Sequence, residues 1–353
     1  MNYPETLAWI HGTERFGSRL GLGRMGRLLH RMGDPHLKVP YIHVAGTNGK
    51  GSTTTMIASA LTAGGFKTGK FISPFILEFR ERMQIDGEMI PEETLAALAT
   101  RLRPIAEEFK AADDPPTEFE LVTVLGLTWF AEAGCDIAVL EVGLGGRLDA
   151  TNIIPPPLVA VITRIDYDHT AILGDTLAAI AGEKCGILKR GSTVICYPDQ
   201  EEEALAVIRR RAKEEDDPLI RPDRTALSVL SADLTGSRIL YRGQEIFIPL
   251  PGPHQVLNTI TAVEALNALS SSRFALPPSA IAAGIAAARF PARLELLRQS
   301  PPVLVDGAHN PNGGRALCEA LKALDLHDLT AVVGMLRDKD CLPVLRMMAP
   351  YCA

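Results

Sequence analysis

Short apolar runs alternate with longer, more polar segments through most of this chain. The runs at 41–45, 67–72, 136–142, 158–165 and 192–197 have strand length and few charges, as strands buried on both faces do. Between them 53–63, 91–110, 118–133 and 175–188 read as helices, 91–110 with the clearest alternation at helical spacing. Strands alternating with helices predict an α/β fold with a doubly wound, mostly parallel sheet. Residues 1–38 read as short helices with a basic, glycine-rich connection from Arg15-Phe16-Gly17 to Gly26-Arg27. The stretch 75–87 reads as irregular. The charged, proline-broken stretch 213–224 reads as a surface loop, and 239–250 as a small antiparallel element around Arg242-Gly243.

Two Ala-rich helices are expected at 256–269 and 278–288, the second ended by Phe290-Pro291. Beyond it come a strand at 303–306, a helix at 313–324, a strand at 330–334 and one more helix. The expected division is a large domain over 1–289, a linker over 290–295 and a small α/β, Rossmann-like domain over 296–353. So few elements make a thin second domain, which is expected to be incomplete.

Composition narrows the function. A length of 353 residues, 46% of them hydrophobic, suits about two domains with ample core. Acidic residues outnumber basic ones, 42 to 36, so no general field for nucleic acid is expected and an anionic substrate needs a few local cations. The six cysteines are scattered without metal or redox spacing and read as reduced thiols. The start, MNYPETLAWIHG, lacks a signal-peptide pattern, and no apolar run is of bilayer length. The expectation is a soluble, cytoplasmic protein with neither membrane nor nucleic-acid partners.

The richest stretch follows the first strand. Gly46-Thr47-Asn48-Gly49-Lys50-Gly51-Ser52 joins a strand to a helix, where free N–H groups and glycine backbone accommodate a phosphate. Lys50 would supply charge to the β and γ phosphates, and Ser52 a hydroxyl for Mg²⁺. Gly51 separates Lys50 from Ser52 and breaks the usual P-loop spacing, so alone the stretch reads equally as a turn with a stray lysine. Glu141 ends another strand before Gly143, Gly145 and Gly146; it is either a Mg²⁺ ligand or a solvated carboxylate. A third strand runs into Asp166-Tyr167-Asp168-His169-Thr170, two acids and a histidine that strengthen the metal reading. Lys184 reads as a surface cap on a helix end, Ser73 as an oxygen ligand or a turn opener, and Asn258 as a nucleobase contact or a polar cap. Asp306-Gly307-Ala308-His309-Asn310-Pro311 places acid, histidine and amide in a strand-to-helix turn of the second domain.

Taken in order, these stretches resemble the folylpolyglutamate synthase/dihydrofolate synthase family of the Mur-ligase group. The carriers are HVAGTNGKGS, FISP, TEFE at 117–120, LEVGLGGRLDATN at 140–152, DHT at 168–170, GEKCGIL at 182–188, HQVLN at 254–258, FPARLE at 290–295 and DGAHNP at 306–311. The likeness runs from Tyr3 nearly to the end, and LEVGLGGRLDATN is its most specific part. GTNGKGS is the form this family uses, which accounts for Gly51.

The resemblance implies an ATP-dependent acid–amino-acid ligase that adds L-glutamate to a folate or dihydropteroate carboxylate through an acyl phosphate. It implies ATP contacts from Thr47, Asn48, Gly49, Lys50, Gly51, Ser52, Asn258, Arg293 and Asp306. One Mg²⁺ would lie on Ser52, Ser73 and Glu141, a second on Glu141, His169 and a carbamylated Lys184. Lys50, Lys184 and His309 would be catalytic, His309 facing the transferred phosphoryl group. Arg82, Thr117, Phe119, Asp149 and Ala150 would lie near the pterin-bearing substrate, with Phe119 suited to stacking. A monomer with small-molecule substrates is expected. Phe75 departs from the family's SPH, and the family's C-terminal domain usually continues well past 334–340. The competing readings are a cell-wall Mur ligase, disfavoured by LGGRLDATN, and a nucleotide-binding relic without ligation.

Overall fold

The chain begins with two helices, α1 (Tyr3–His11) and α2 (Gly23–Arg31), in the computed structural model, which describes residues 1–13, 21–336 and 341–353. Arg15, Phe16 and Gly17 of the expected connection, and 337–340, lie outside the described residues. Then follow β1 (Tyr41–Ala45), α3 (Lys50–Ala63), β2 (Thr68–Phe71), β3 (Met83–Ile85), β4 (Glu88–Met89), α4 (Glu92–Ala111), α5 (Glu118–Glu132) and β5 (Ile137–Glu141). The large domain continues with β6 (Val159–Ile162), α6 (Thr170–Leu173), α7 (Leu177–Lys184), β7 (Thr193–Cys196), α8 (Glu202–Glu215) and β8 (Leu219–Ile220). Next come β9 (Leu227–Asp233), β10 (Gly236–Tyr241), β11 (Gln244–Ile248), α9 (Pro253–Asn267) and α10 (Pro278–Ala287). The last elements are β12 (Glu295–Gln299), β13 (Pro302–Val305), α11 (Pro311–Ala323) and α12 (Leu342–Met348).

Eight strands form one sheet in the order β4-β3-β2-β5-β1-β6-β7-β8. From β2 to β8 neighbours run parallel, while β3 and β4 add an antiparallel margin. β1 lies in the middle with all five residues buried, so its apolar run is required on both faces. The chain goes from β1 outward to β2, returns to β5 and crosses to β6. The carboxyl ends of these four adjacent strands therefore open on one side, where ligands collect in such sheets.

Helices cover both faces. Met56, Ile57 and Leu61 of α3 pack with Ile260 of α9 and Ile285 of α10 against one face. Leu28, Leu98, Leu102, Leu121 and Phe130 of α2, α4 and α5 cover the other. Ile180, Leu205 and Ile208 of α7 and α8 complete the β6–β7 end. A buried leucine or isoleucine contributes roughly 1.5–3 kcal/mol, so α3, clamped between the sheet and two helices, gives the phosphate loop a rigid base. β9, β10 and β11 form a separate antiparallel sheet.

The small domain pairs β12 with β13 and packs α11 on a little core of Leu294, Ala320 and Leu321. Three sequence expectations need correction. The 75–87 stretch contains β3, paired with β2. The 213–224 stretch holds the end of α8 and the sheet strand β8. No strand forms at 330–334: Val332 is 98% exposed, and without a partner strand the apolar pattern has no ladder to join.

Candidate active site

The phosphate loop is built by backbone geometry. Gly49 holds the left-handed conformation (φ 85°) at the N-cap of α3, and no side chain caps the helix, so first-turn N–H groups remain for an anion. A Cβ on Gly51 would come 2.5 Å from Phe290 Cζ and 3.3 Å from a Glu141 oxygen. Glycine is thus needed where loop, linker and Glu141 converge. Thr47 N donates to Arg164 O at 2.8 Å, and Lys50 Nζ donates to Thr47 O at 3.2 Å. Ser52 Oγ accepts from Gln255 Nε2 at 3.3 Å, and Asn258 Nδ2 donates to Gln255 Oε1 at 3.1 Å. Asn258 therefore sits against the loop and orders Gln255.

Ser73, Glu141, His169 and Lys184 come from four segments and line the same cavity of roughly 470 Å³ as the phosphate loop. Glu141 is buried and accepts from Ser73 N at 3.2 Å. Burial pushes its carboxyl above the ordinary range, opposed by the Lys50 charge and the Ser73 N–H. Lys184 is no surface cap. It is 5% exposed and donates from Nζ to Gly46 O at 2.7 Å. Burial, with the charge of Lys50, pulls its ammonium down to about 7. Hydroxyl and carboxylate oxygens at Ser52, Ser73 and Glu141 suit a hard cation such as Mg²⁺, and the Glu141 oxygen beside Gly51 places that donor at the phosphate loop. Among the described residues no group of three His, Cys, Asp or Glu side chains could hold a metal, so phosphate oxygens and water would have to complete the shell.

The small domain closes the cavity opposite the loop. Asp306 accepts from Leu294 N and Ala308 N, both at 2.8 Å, and burial raises its carboxyl against those hydrogen bonds. The Arg293 guanidinium stacks over Phe290 at 4.7 Å. His309 Nδ1 lies 2.9 Å from Gly307 O; as an N–H donor to that carbonyl it leaves Nε2 for the cavity. Arg293, Asp306 and His309 all line it.

A second cavity adjoins the first. Thr117, Phe119, Asp149 and Ala150 line it, and Ser73, Gly143 and Leu144 line both. Thr117 also caps α5 in a reciprocal box with Glu120. Asp149 accepts from Leu144 N at 2.8 Å and Thr151 N at 3.0 Å, which fixes the glycine turn after β5. Arg82 lines neither cavity. Its guanidinium is 3.6 Å from Glu118 and lies over the rings of Phe75 and Phe79. Sequence reasoning gave no role to Gln255, which lay within HQVLN, or to Arg164 and Asn312, which carry no local signal; all three line the larger cavity.

The Mur ligase middle domain matches residues 44–266, and the Mur ligase glutamate ligase domain matches 292–352. The fold is thus that of a Mur ligase. Folylpolyglutamate synthase of Lacticaseibacillus casei is 40% identical, over 96% of this chain and 81% of the relative. Dihydrofolate synthase/folylpolyglutamate synthase of Bacillus subtilis is 39% identical, over 96% and 80%. A folylpolyglutamate synthase solved with AMPPCP and folate superposes with TM-score 0.90 at 37% identity, covering 100% of this chain and 88% of that one. The Mycobacterium tuberculosis enzyme with ADP and AMPPCP gives 0.89 at 33% identity, covering 99% and 81%. The chain belongs to the folylpolyglutamate synthase/dihydrofolate synthase family of ATP-dependent ligases.

Proposed function

We propose that this chain joins L-glutamate to a folate or dihydropteroate carboxylate at the expense of ATP. The observation that carries the reading is the pair of adjoining cavities with a common wall at Ser73, Gly143 and Leu144. One holds the phosphate loop; the other offers Phe119 for a flat ring. The substrate carboxylate oxygen attacks the γ-phosphorus of ATP, forming an acyl phosphate as ADP leaves. The neutral amine of glutamate then attacks that carbonyl carbon, giving an amide as phosphate leaves and the nitrogen loses a proton. Lys50 neutralises charge on the phosphates, His309 faces the transferred group, and the closed cavity holds the reactants together.

Ser52, Ser73 and Glu141 would hold one Mg²⁺, and Glu141, His169 and Lys184 a second. Bound Mg²⁺ supplies charge neutralisation on phosphate oxygens. Lys184 fits this role as a carbamate, which accepts where an ammonium repels, and its lowered pKa leaves neutral amine to react with CO₂. Thr47, Asn48, Gly49, Gly51, Asn258, Arg293 and Asp306 complete the nucleotide site, and Thr117, Asp149 and Ala150 the folate site, with Arg82 behind it. In this reading 1–289 binds ATP and folate, 290–295 links, and 296–353 presents glutamate. A monomeric cytoplasmic enzyme is part of the reading; among the described residues no helix is long and apolar enough to cross a membrane.

The test is ADP release with Mg²⁺-ATP, with and without glutamate, comparing dihydropteroate with reduced folate. Release that requires glutamate and one acceptor is expected and identifies the step. ATP binding with no acceptor-dependent release would overturn the ligase reading.

A further inference from the structure

Three segments far apart in sequence meet through one side-chain amide. Asn48 in the phosphate loop donates from Nδ2 to Asn312 Oδ1 at 2.6 Å, and Asn312 Nδ2 donates to the carboxylate of Asp166. An ionised carboxylate can only accept, so the Asn312 amide has a single orientation. Asp166 is itself tied to the loop. Thr47 Oγ1 donates to Asp166 O at 2.9 Å, and Asp166 N donates to Thr47 Oγ1 at 3.0 Å. Alongside, Asn310 Nδ2 donates to Asp168 Oδ2 at 3.0 Å, while Asn310 Oδ1 accepts from Gly313 N at 2.7 Å and caps α11. Asn310 and Asn312 are 5% and 7% exposed. A buried amide whose donor and acceptor sides are both engaged specifies one arrangement, because any slip leaves polar groups unpaired.

We infer that Asn312 is a positioning residue for ligation. It keeps the small-domain turn that carries His309 in register with the phosphate loop. The inference rests on the ligase reading above. Asn48 then works sideways: it directs its amide to the other domain, so the loop and the turn move as one body. The Tyr167 N–H donates to the second Asp166 oxygen at 2.8 Å and Arg164 Nε lies 4.0 Å from the first, which holds the carboxylate in place to receive Asn312.

The experiment exchanges the two partners. Asn312→Asp keeps an acceptor for Asn48 but sets two carboxylates face to face. The double variant Asp166→Asn/Asn312→Asp restores a donor and an acceptor in exchanged places. In the full chain, Asn312→Asp is expected to lower kcat about 10- to 100-fold, with the ADP dissociation constant within about threefold of the parent. Deuterium exchange should accelerate in both 46–53 and 306–314 while β1 and β5 remain protected. The double variant should recover most of the rate and the protection. Parental kcat in Asn312→Asp, unchanged exchange in either segment, or a double variant no better than the single would overturn the inference. The exchange readout needs no turnover. Protection lost in the single variant and regained in the double supports the latch even if the parent releases no ADP, a result that counts against the ligase reading alone.

Discussion

Replacing Gly46 by alanine tests how the phosphate loop is held. Gly46 follows β1 with φ 153°, and a Cβ there would fall on the Thr163 hydroxyl, 2.9 Å from its Cβ and 3.1 Å from its carbonyl carbon. Thr163 is fully buried and donates to Ala45 O at 3.2 Å, so its side chain has no space to turn into. A residue forced into this backbone region costs about 1–3 kcal/mol. Overpacking a close-fitted site adds about 1–3 kcal/mol. We therefore predict a loss of about 2–6 kcal/mol against a total of about 5–15, read by urea unfolding followed by tryptophan fluorescence. Gly46 O also accepts from Lys184 Nζ. A loop shift of about 1 Å there should lower acceptor-dependent ADP release about 100-fold. A double-mutant cycle with Thr163→Gly isolates the clash: a favourable coupling of about 1–3 kcal/mol is expected. A Gly46→Ala protein within 1 kcal/mol of the parent, or a coupling of zero, would refute the steric argument.

Lys50→Ala is predicted to lower ATP turnover by about 100-fold or more; near-parental turnover would remove Lys50 from the phosphate site. Lys184→Ala should be inactive but partly rescued by acetate or propionate, which return a carboxylate to the vacated space; full activity without rescue would rule out the carbamate. His309→Ala should slow amide formation, followed by single-turnover quench, more than it weakens nucleotide binding, and equal loss of both would make the residue structural. His43 is fully buried, with Nε2 2.8 Å from Thr151 Oγ1, and burial, aided by Lys189, lowers its pKa to about 3. Since the unfolded chain takes up this proton near pH 6.5 and the folded chain does not, stability should fall as pH drops from about 6.5 towards 3, by up to about 1.4 kcal/mol per pH unit. Asp149, with its carboxyl raised by burial, opposes this at low pH. The quantity to measure is therefore the difference in urea midpoint between the parent and His43→Gln at pH 5 and 8, and parallel curves would contradict the assignment.

The central strands were legible because burial on both faces demands unbroken apolar runs, as in Tyr41–Ala45. Elements defined by one face were harder. In α8 the buried residues Ala204, Leu205, Val207, Ile208 and Ala212 keep helical spacing, but dense surrounding charge obscured them. The strand expected at 330–334 had suitable side chains and no neighbour, since strand formation depends on pairing that sequence pattern alone does not supply. At the site, glycine loops and strand-end acids announced themselves locally. Arg82 was placed by likeness near the folate site, yet it is held against Glu118 and two phenylalanine rings. The bond from Asn48 to Asn312 spans 264 positions and leaves no trace in either neighbourhood.

The eight-stranded sheet also bears on how this protein behaves when crowded. Both of its margins are two-residue strands, β4 and β8, too short to template addition of another chain. The small antiparallel sheet is different. Its edge strand β9 is seven residues long and largely exposed, with Val229 and Leu230 about half open to water. Aggregation on storage or heating should therefore begin at β9, and a lysine at Val229 or Leu230, neither of which lines the two adjoining cavities, would be the first change to make for a better-behaved preparation.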